Sequence, residues 1–343
     1  MAFLDELNTS TRRKIVPGLV DEVFKNDPTL AYLKKNNIET FDGGTLIQEN
    51  FIYAPLGGGA YAIGDTFPIT ISQVETGASF IPKLYYVPVS IAKEQIQIFN
   101  KGPQMVFRLI DGRLQNAALT MSARLALALY QNGQTAARAL QLNGFAEQLN
   151  DGTTAQWDSN TYTTYGTLSR NGTIGAALNS PMTGPTANVA GPITYKILEE
   201  AYNSVVIGDE HPNLMVTTNL GMSYIKEKFQ PQWRTETQDP NIGFNGLKFN
   251  ASMVIQSQYA PGSVVSTVDS SLGANAALSG ETIHYLNTKY LRMYVTNDPE
   301  FGFGFSGFKP AQDSTVVAGQ YFFSGNVTNQ APRLMRVLFG ING

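Results

Sequence analysis

Strand-like alternation runs through Leu46, Gln48, Asn50 and Ile52, and again through Ile69, Thr70, Ile71 and Ser72. Between the two runs lies Pro55-Leu56-Gly57-Gly58-Gly59-Ala60, a tip that no helix tolerates. Residues 41–92 therefore read as an extended hairpin loop. Ten extended residues, 45–54, span about 33 Å, whereas a compact chain of this size has a radius of gyration of about 20 Å. A lone two-stranded arm is marginal in water. Two readings stay open: the loop lies on a neighbouring subunit, or it is an ordinary hairpin inside a β-rich domain. On the first, Gly57, Gly58, Gly59 and Tyr61 are the contact residues.

Helical spacing dominates elsewhere. Residues 1–40 read as a helical arm. Pro17 opens a short helix with Leu19, Val20, Val23 and Phe24 on one face, and Asp27 caps a second with Leu30 and Leu33 apolar. Two such helices make no core of their own. Leu19, Val23, Phe24, Leu30 and Leu33 are therefore candidate interface residues, and deleting 1–36 is expected to leave the body folded. The longest periodic segment, 103–131, carries the stripe Val106, Leu109, Ile110, Leu114, Ala117, Met121, Leu125 and Leu129. A helix there is roughly 40 Å long. Its other face carries Arg108, Asp111, Arg113 and Arg124. That face is either solvated or meets neighbours or a packaged polyanion.

Periodicity then vanishes over 143–192, a stretch rich in Asn, Gly, Thr, Ser and Pro. A loop so long is unusual in a compact domain, so it is either disordered or held by partners. Trp157, Tyr162 and Tyr165 favour the second. From 191 onward the pattern is α/β. A helix runs from Pro192 through Val205, a strand over 214–218 and a helix over 220–229. Strands follow over 247–249, 253–255, 283–286, 291–295, 320–324 and 333–339. No internal repeat is evident.

Composition sharpens the class. The chain has 343 residues, and only 15% are charged, against about 25% in ordinary soluble proteins. Hydrophobic residues make up 43%, with 16 Tyr and 19 Phe. A surface so poor in charge and rich in aromatics suits a protein covered by copies of itself, since interface cores show that bias. A secreted or surface β-rich adhesin fits as well. The net charge of −3 argues against a sequence-reading nucleic-acid binder, which carries a basic stripe. Cysteine is absent, which excludes disulfides and thiolate chemistry. No apolar signal-peptide core opens the chain and no run spans a membrane.

No catalytic constellation emerges, so the chain reads as a non-enzyme. His211 lies in the turn Gly208-Asp209-Glu210-His211-Pro212, and His284 lies in a strand. Two separated histidines do not make a three-histidine metal site, and no metal or cofactor is expected. Gly57-Gly58-Gly59 lacks the Gly-Lys-Ser/Thr of a phosphate loop. Ser223-Tyr224-Ile225-Lys226 matches Ser-x-x-Lys without its companion motifs. A polysaccharide-acting enzyme needs a carboxylate pair, which the sequence leaves open.

The order of segments resembles a family. Helical arm, extended loop, long helix, Gly/Thr-rich connector and α/β domain is similar to the tailed double-stranded-DNA bacteriophage major capsid protein. Local runs add to this: Leu142-Asn143-Gly144-Phe145, Asn150-Asp151-Gly152-Thr153 and Tyr165-Gly166-Thr167-Leu168-Ser169-Arg170 in the connector. Pro212 to Thr218, Ile242 to Asn250, Leu286 to Leu291, Gly325-Asn326-Val327 and Phe339-Gly340-Ile341 follow in order. The resemblance implies an α+β, HK-97-like capsid fold. Its parts are an N-terminal helical arm (1–40), an extended β-hairpin loop (41–92) and a peripheral domain with spine helix and connector (93–190). An α/β axial domain (191–295) and C-terminal strands completing both domains (296–343) follow. It implies homo-hexamers and homo-pentamers tiling an icosahedral shell around packaged DNA, bound non-specifically, with Arg108, Arg113 and Arg124 toward the interior. The implied partners are a separate scaffolding protein, a portal protein and a decoration protein. The implied location is the virion, assembled in the host bacterial cytoplasm. Some relatives lock the shell with a lysine on the extended loop. Here 41–82 holds no lysine and Lys83 lies on the return strand, so a shell without covalent crosslinks is expected.

Overall fold

In the computed structural model, residues 27–67, 71–94, 103–170, 182–229, 236–238, 245–263, 278–310 and 315–343 are described. The side chains of 36, 103–110, 229, 236–238 and 245 lie outside that description. So do the expected Pro17 helix with Leu19, Val23 and Phe24, and the side chains of Val106, Arg108, Leu109 and Ile110.

The described chain opens with helix α1 (Pro28–Asn36), capped by Asp27, whose carboxylate accepts from the Leu30 N–H at 2.9 Å. Strands β1 (Ile38–Phe41), β2 (Ile47–Ile52), β3 (Glu75–Phe80) and β4 (Lys83–Ala92) follow. Next come α2 (Pro103–Leu129), the short α3 (Phe145–Gln148), β5 (Thr164–Tyr165), β6 (Leu168–Ser169) and β7 (Thr186–Pro192). Then α4 (Tyr195–Asn203), β8 (Leu214–Thr217), α5 (Asn219–Phe229), β9 (Glu236–Gln238), β10 (Asn245–Phe249), β11 (Ser252–Gln256), β12 (Glu281–Leu286) and β13 (Leu291–Thr296). The chain closes with β14 (Gly302–Phe305), β15 (Lys309–Pro310), β16 (Val316–Asn329) and β17 (Arg336–Asn342).

Two large sheets organise the described residues. In one, the 14-residue β16 is the spine of a six-stranded sheet. It pairs antiparallel with β4 from Val316↔Ala92 to Gly325↔Lys83, and its end, Gly325 to Asn329, pairs with β13, which pairs parallel with β1. The other has the order β7-β17-β12-β8-β11-β10-β9. Its middle strands β8 and β12 are buried along their whole length, as strands covered on both faces should be. β13 belongs to the six-stranded sheet and β7 to the seven-stranded one. The chain therefore passes from one sheet to the other between β12 and β13, at 287–290.

The long helix forms as expected. Ala117, Met121, Leu125 and Leu129 pack with Val87 and Val89 of β4 in the largest core cluster. Its last turns are buried all round, because α1, the connector and both sheets converge there. Leu30 and Leu33 belong to this same core. That corrects their expected role as interface residues: α1 docks on its own chain through α2 and β13, and deleting through residue 36 would open the core.

Three further expectations change. The helix predicted from Pro192 starts at Tyr195, because the Thr194 side chain takes the cap and Pro192 ends β7. The strand expected over 45–54 is six residues long, pairing from Ile47↔Phe80 to Ile52↔Glu75 with one further Tyr53 N–H to Val74 carbonyl bond, and Ile69 and Thr70 of the second expected run lie outside the described residues. Where it is described, the connector folds on its own chain. Trp157 and Tyr162 join the main core, and Tyr165 packs between Phe51 and Phe80 at ring separations of 5.8 and 5.1 Å. A neutral polar stretch stays folded by making its hydrogen bonds inside the chain.

Candidate assembly surfaces

The extended loop is built in two parts. Its base is the β2–β3 hairpin, in which β2 alternates buried and exposed residues. Ile47, Phe51, Ala78 and Phe80 pack on Tyr165 and Met182. Glu49, on the same inward face, accepts from Thr328 at 2.7 Å and Gln330 at 2.9 Å, anchoring the hairpin to the end of β16. Beyond Ile52 the described loop residues are largely exposed. Ile63 and Ile71 are fully exposed, at 106% and 104%, and Leu56, Tyr61 and Phe67 are exposed too. Tyr61 and Phe67 touch each other edge to face at 5.1 Å. A Cβ built on Gly57, Gly58 or Gly59 meets nothing within 4 Å. These glycines are not forced by packing inside the chain; they leave a thin, open tip.

A second exposed apolar area lies on the outer face of the six-stranded sheet. Alternation along β4 sends Val87, Val89 and Ile91 inward and Leu84, Tyr86 and Pro88 outward. Tyr86 is in register with Phe322 of β16, which stacks on Phe301 at 4.9 Å. Exposed Ile81 precedes β4.

The expected interior cations are placed differently from a free basic stripe. Arg113 donates to the Ser90 carbonyl of β4, tying α2 to the sheet. Arg124 is half-buried, with its Nε shielded from solvent. It lies near Tyr85, whose hydroxyl burial pushes up to about 12. Lys83 donates to the Ala139 carbonyl at 2.6 Å.

The buried polar chemistry sits in the connector. Arg170 spreads its guanidinium over four main-chain carbonyls, those of Glu147, Gln148, Tyr162 and Met182, at 2.7 to 3.0 Å. Desolvation lowers its pKa to about 10, opposed by Tyr165, Glu147 and Asp151. Glu147 accepts from the Gly133 N–H at 2.8 Å and from the Asn143 amide, and burial pushes it up to about 7. Gly144 lets the connector pass against the end of α2: a Cβ there would lie 2.4 Å from the Gln131 carbonyl oxygen. His284 is enclosed by Tyr130, Phe145 and Trp157 rings at 5.3, 6.0 and 5.1 Å. Burial lowers it to about 3, so it is a neutral core residue. His211, in its turn, places Nδ1 3.0 Å from the Asp209 carbonyl oxygen. Sequence reasoning missed Arg170 and Glu147 as organising groups. One signal was there: Arg170 is the sole Lys or Arg between Arg138 and Lys196. Among the described residues no cluster of three metal-ligating side chains occurs, and no helix is long and apolar enough to cross a membrane.

No family model matches the chain, and no curated protein matches its sequence. Solved structures do match. The cyanophage A-1(L) capsid superposes with a TM-score of 0.65 at 13% identity, covering 97% of each chain. The capsid of a native GTA particle gives 0.60 at 9% identity, with 96% of both chains covered. The SrpI encapsulin of Synechococcus elongatus gives 0.58 at 10% identity, covering 99% of this chain and 95% of its own. With so little sequence in common and nearly every residue aligned, what these chains share is architecture. The protein has the HK-97-like fold of phage capsid and encapsulin shells.

Proposed function

We propose that the chain is a major capsid protein, a structural and non-enzymatic subunit. It self-assembles as hexamers and pentamers into an icosahedral shell enclosing packaged double-stranded DNA. The observation that carries this is the likeness to shell proteins over the whole chain, not over one domain. The distal loop supports it, because Leu56, Tyr61, Ile63, Phe67 and Ile71 expose apolar surface without cover from their own chain. Leu56, Gly57, Gly58, Gly59 and Tyr61 would meet a neighbouring subunit. On this reading a separate scaffolding protein, a portal protein and a decoration protein are its partners. Assembly takes place in the host bacterial cytoplasm and the product is part of the virion.

Contact with the genome would be weak and sequence-independent, since Arg113 is tied to the Ser90 carbonyl and Arg124 is half-buried with its Nε shielded from solvent. A second reading, a shell of the encapsulin kind, is favoured by the SrpI likeness. Electron microscopy of the expressed protein, with its scaffold where one is needed, tests the common part. Capsomers, tubes or shells are expected, and a strictly monomeric protein at high concentration refutes both readings. Nuclease-resistant DNA inside particles purified from the native source separates the first from the second.

A further inference from the structure

Asp27 is a carboxylate almost sealed from solvent at the meeting point of three segments. It caps its own helix, accepting from the Leu30 N–H at 2.9 Å. It accepts from Ser257, in the turn after β11. Its other contact is the Tyr130 hydroxyl at the end of α2, at 3.4 Å, and Thr29 bonds that hydroxyl at 2.8 Å. Every one of these partners is neutral. Across the Tyr130 ring lies His284, itself buried and uncharged. Among the described residues, none of the hydrogen-bond partners of Asp27 is a cation. A buried carboxylate without a cation costs free energy that the protonated acid does not.

We propose that Asp27 is a proton-operated latch: the carboxylic acid holds α1 against the end of α2 and the turn after β11, and ionisation loosens that helix. This goes beyond the shell-forming role and holds whether or not the chain forms a shell.

The direction of the effect follows from linkage. Burial raises Asp27 from its ordinary 3.8 to about 6, and the hydrogen bonds from Ser257, Leu30, Tyr130 and Thr29 pull it part of the way back. A carboxyl raised in the docked state binds its proton more tightly docked than free. Its contribution to docking is complete below the free value and is lost as pH rises through about 6. The difference of about two units corresponds to about a hundredfold in the docking equilibrium. His284 works with the opposite sign on global unfolding. The rings around it come from Tyr130, Phe145 and Trp157, none of them on α1, whereas Lys34 of α1 donates to Ser122 of α2 and its pKa is lowered by burial.

The test is hydrogen exchange of the full chain at pH 5 and pH 8 in one assembly state, corrected for intrinsic rates. Protection of α1 amides, taken relative to α5, is expected to fall by about tenfold at the higher pH, because pH 5 already lies above the free value of 3.8. Asp27→Asn keeps a capping oxygen and cannot ionise, so its ratio should be flat. Ser257→Ala removes a donor to the carboxylate and should move the midpoint to higher pH, which keeps the proposal testable if the asparagine variant folds poorly. A flat profile in the wild type, an undiminished drop in Asp27→Asn, or an unmoved midpoint in Ser257→Ala overturns it.

Discussion

Arg170 shows how one side chain organises a segment that has no periodicity. Its donors hold four carbonyls that the neutral residues around them leave without ladder partners. Lysine offers a point charge and cannot fan over four acceptors. Arg170→Lys should therefore lower stability by about 3 kcal/mol, read from the midpoint of denaturant unfolding. Glu147, beside it, gives a pH signature. Its pKa rises from 4.5 in the open chain to about 7 when folded, mainly through burial. Its share of stability is complete below 4.5 and lost as pH rises through about 7. Glu147→Gln should flatten that part of the curve, so the variant gains on the wild type between pH 5 and pH 8 in paired unfolding curves. His284 has the reverse sign. Held at about 3 against an ordinary 6.5, it supports the fold fully above 6.5 and costs stability as pH falls.

Elements with the same apolar spacing meet different fates. In α1, Leu33 is sealed in the core at 1% exposure, and Leu33→Ala should cost about 2–4 kcal/mol in thermal or chemical unfolding. In the distal loop, Ile63 and Ile71 touch water throughout. The double change Ile63→Ser, Ile71→Ser should leave the unfolding free energy within about 0.5 kcal/mol and reduce assembly measured by sedimentation. Unchanged assembly would remove the loop tip from the interface. The sequence showed both elements as apolar and short. It did not show which one its own chain covers, because that depends on where α2 and β13 lie in space.

For the whole molecule, the arrangement of basic and nucleophilic groups bears on how a shell would hold together. The loop from 41 to 82 has no Lys, Arg or His, and Lys83 is spent on the Ala139 carbonyl. There is no cysteine. Cohesion would then come from many weak contacts acting together. Particles boiled in denaturing detergent should run as one band at 37.4 kDa. A ladder of covalent oligomers would refute that, and its loss in Lys83→Ala would place the linkage on β4.

The sequence by itself determined the order of parts: an extended Gly-rich loop, a long helix from Pro103, a connector without periodicity and an α/β region. Each rests on local physics. Glycine and proline break helices, a stripe every three to four residues makes one, and alternation makes a strand. Only the tertiary structure decided the long-range pairings. It set β16 as a strip shared by β4, β13, β14 and β15, assigned β7 to one sheet and β13 to the other, and folded the connector on Arg170. It also turned Leu30 and Leu33 into core while leaving Ile63 and Ile71 bare. The reason is physical. Burial and strand pairing are relations between residues far apart in the chain, as Ile38 of β1 and its partner Met293 of β13 are, and no local pattern in the chain encodes them.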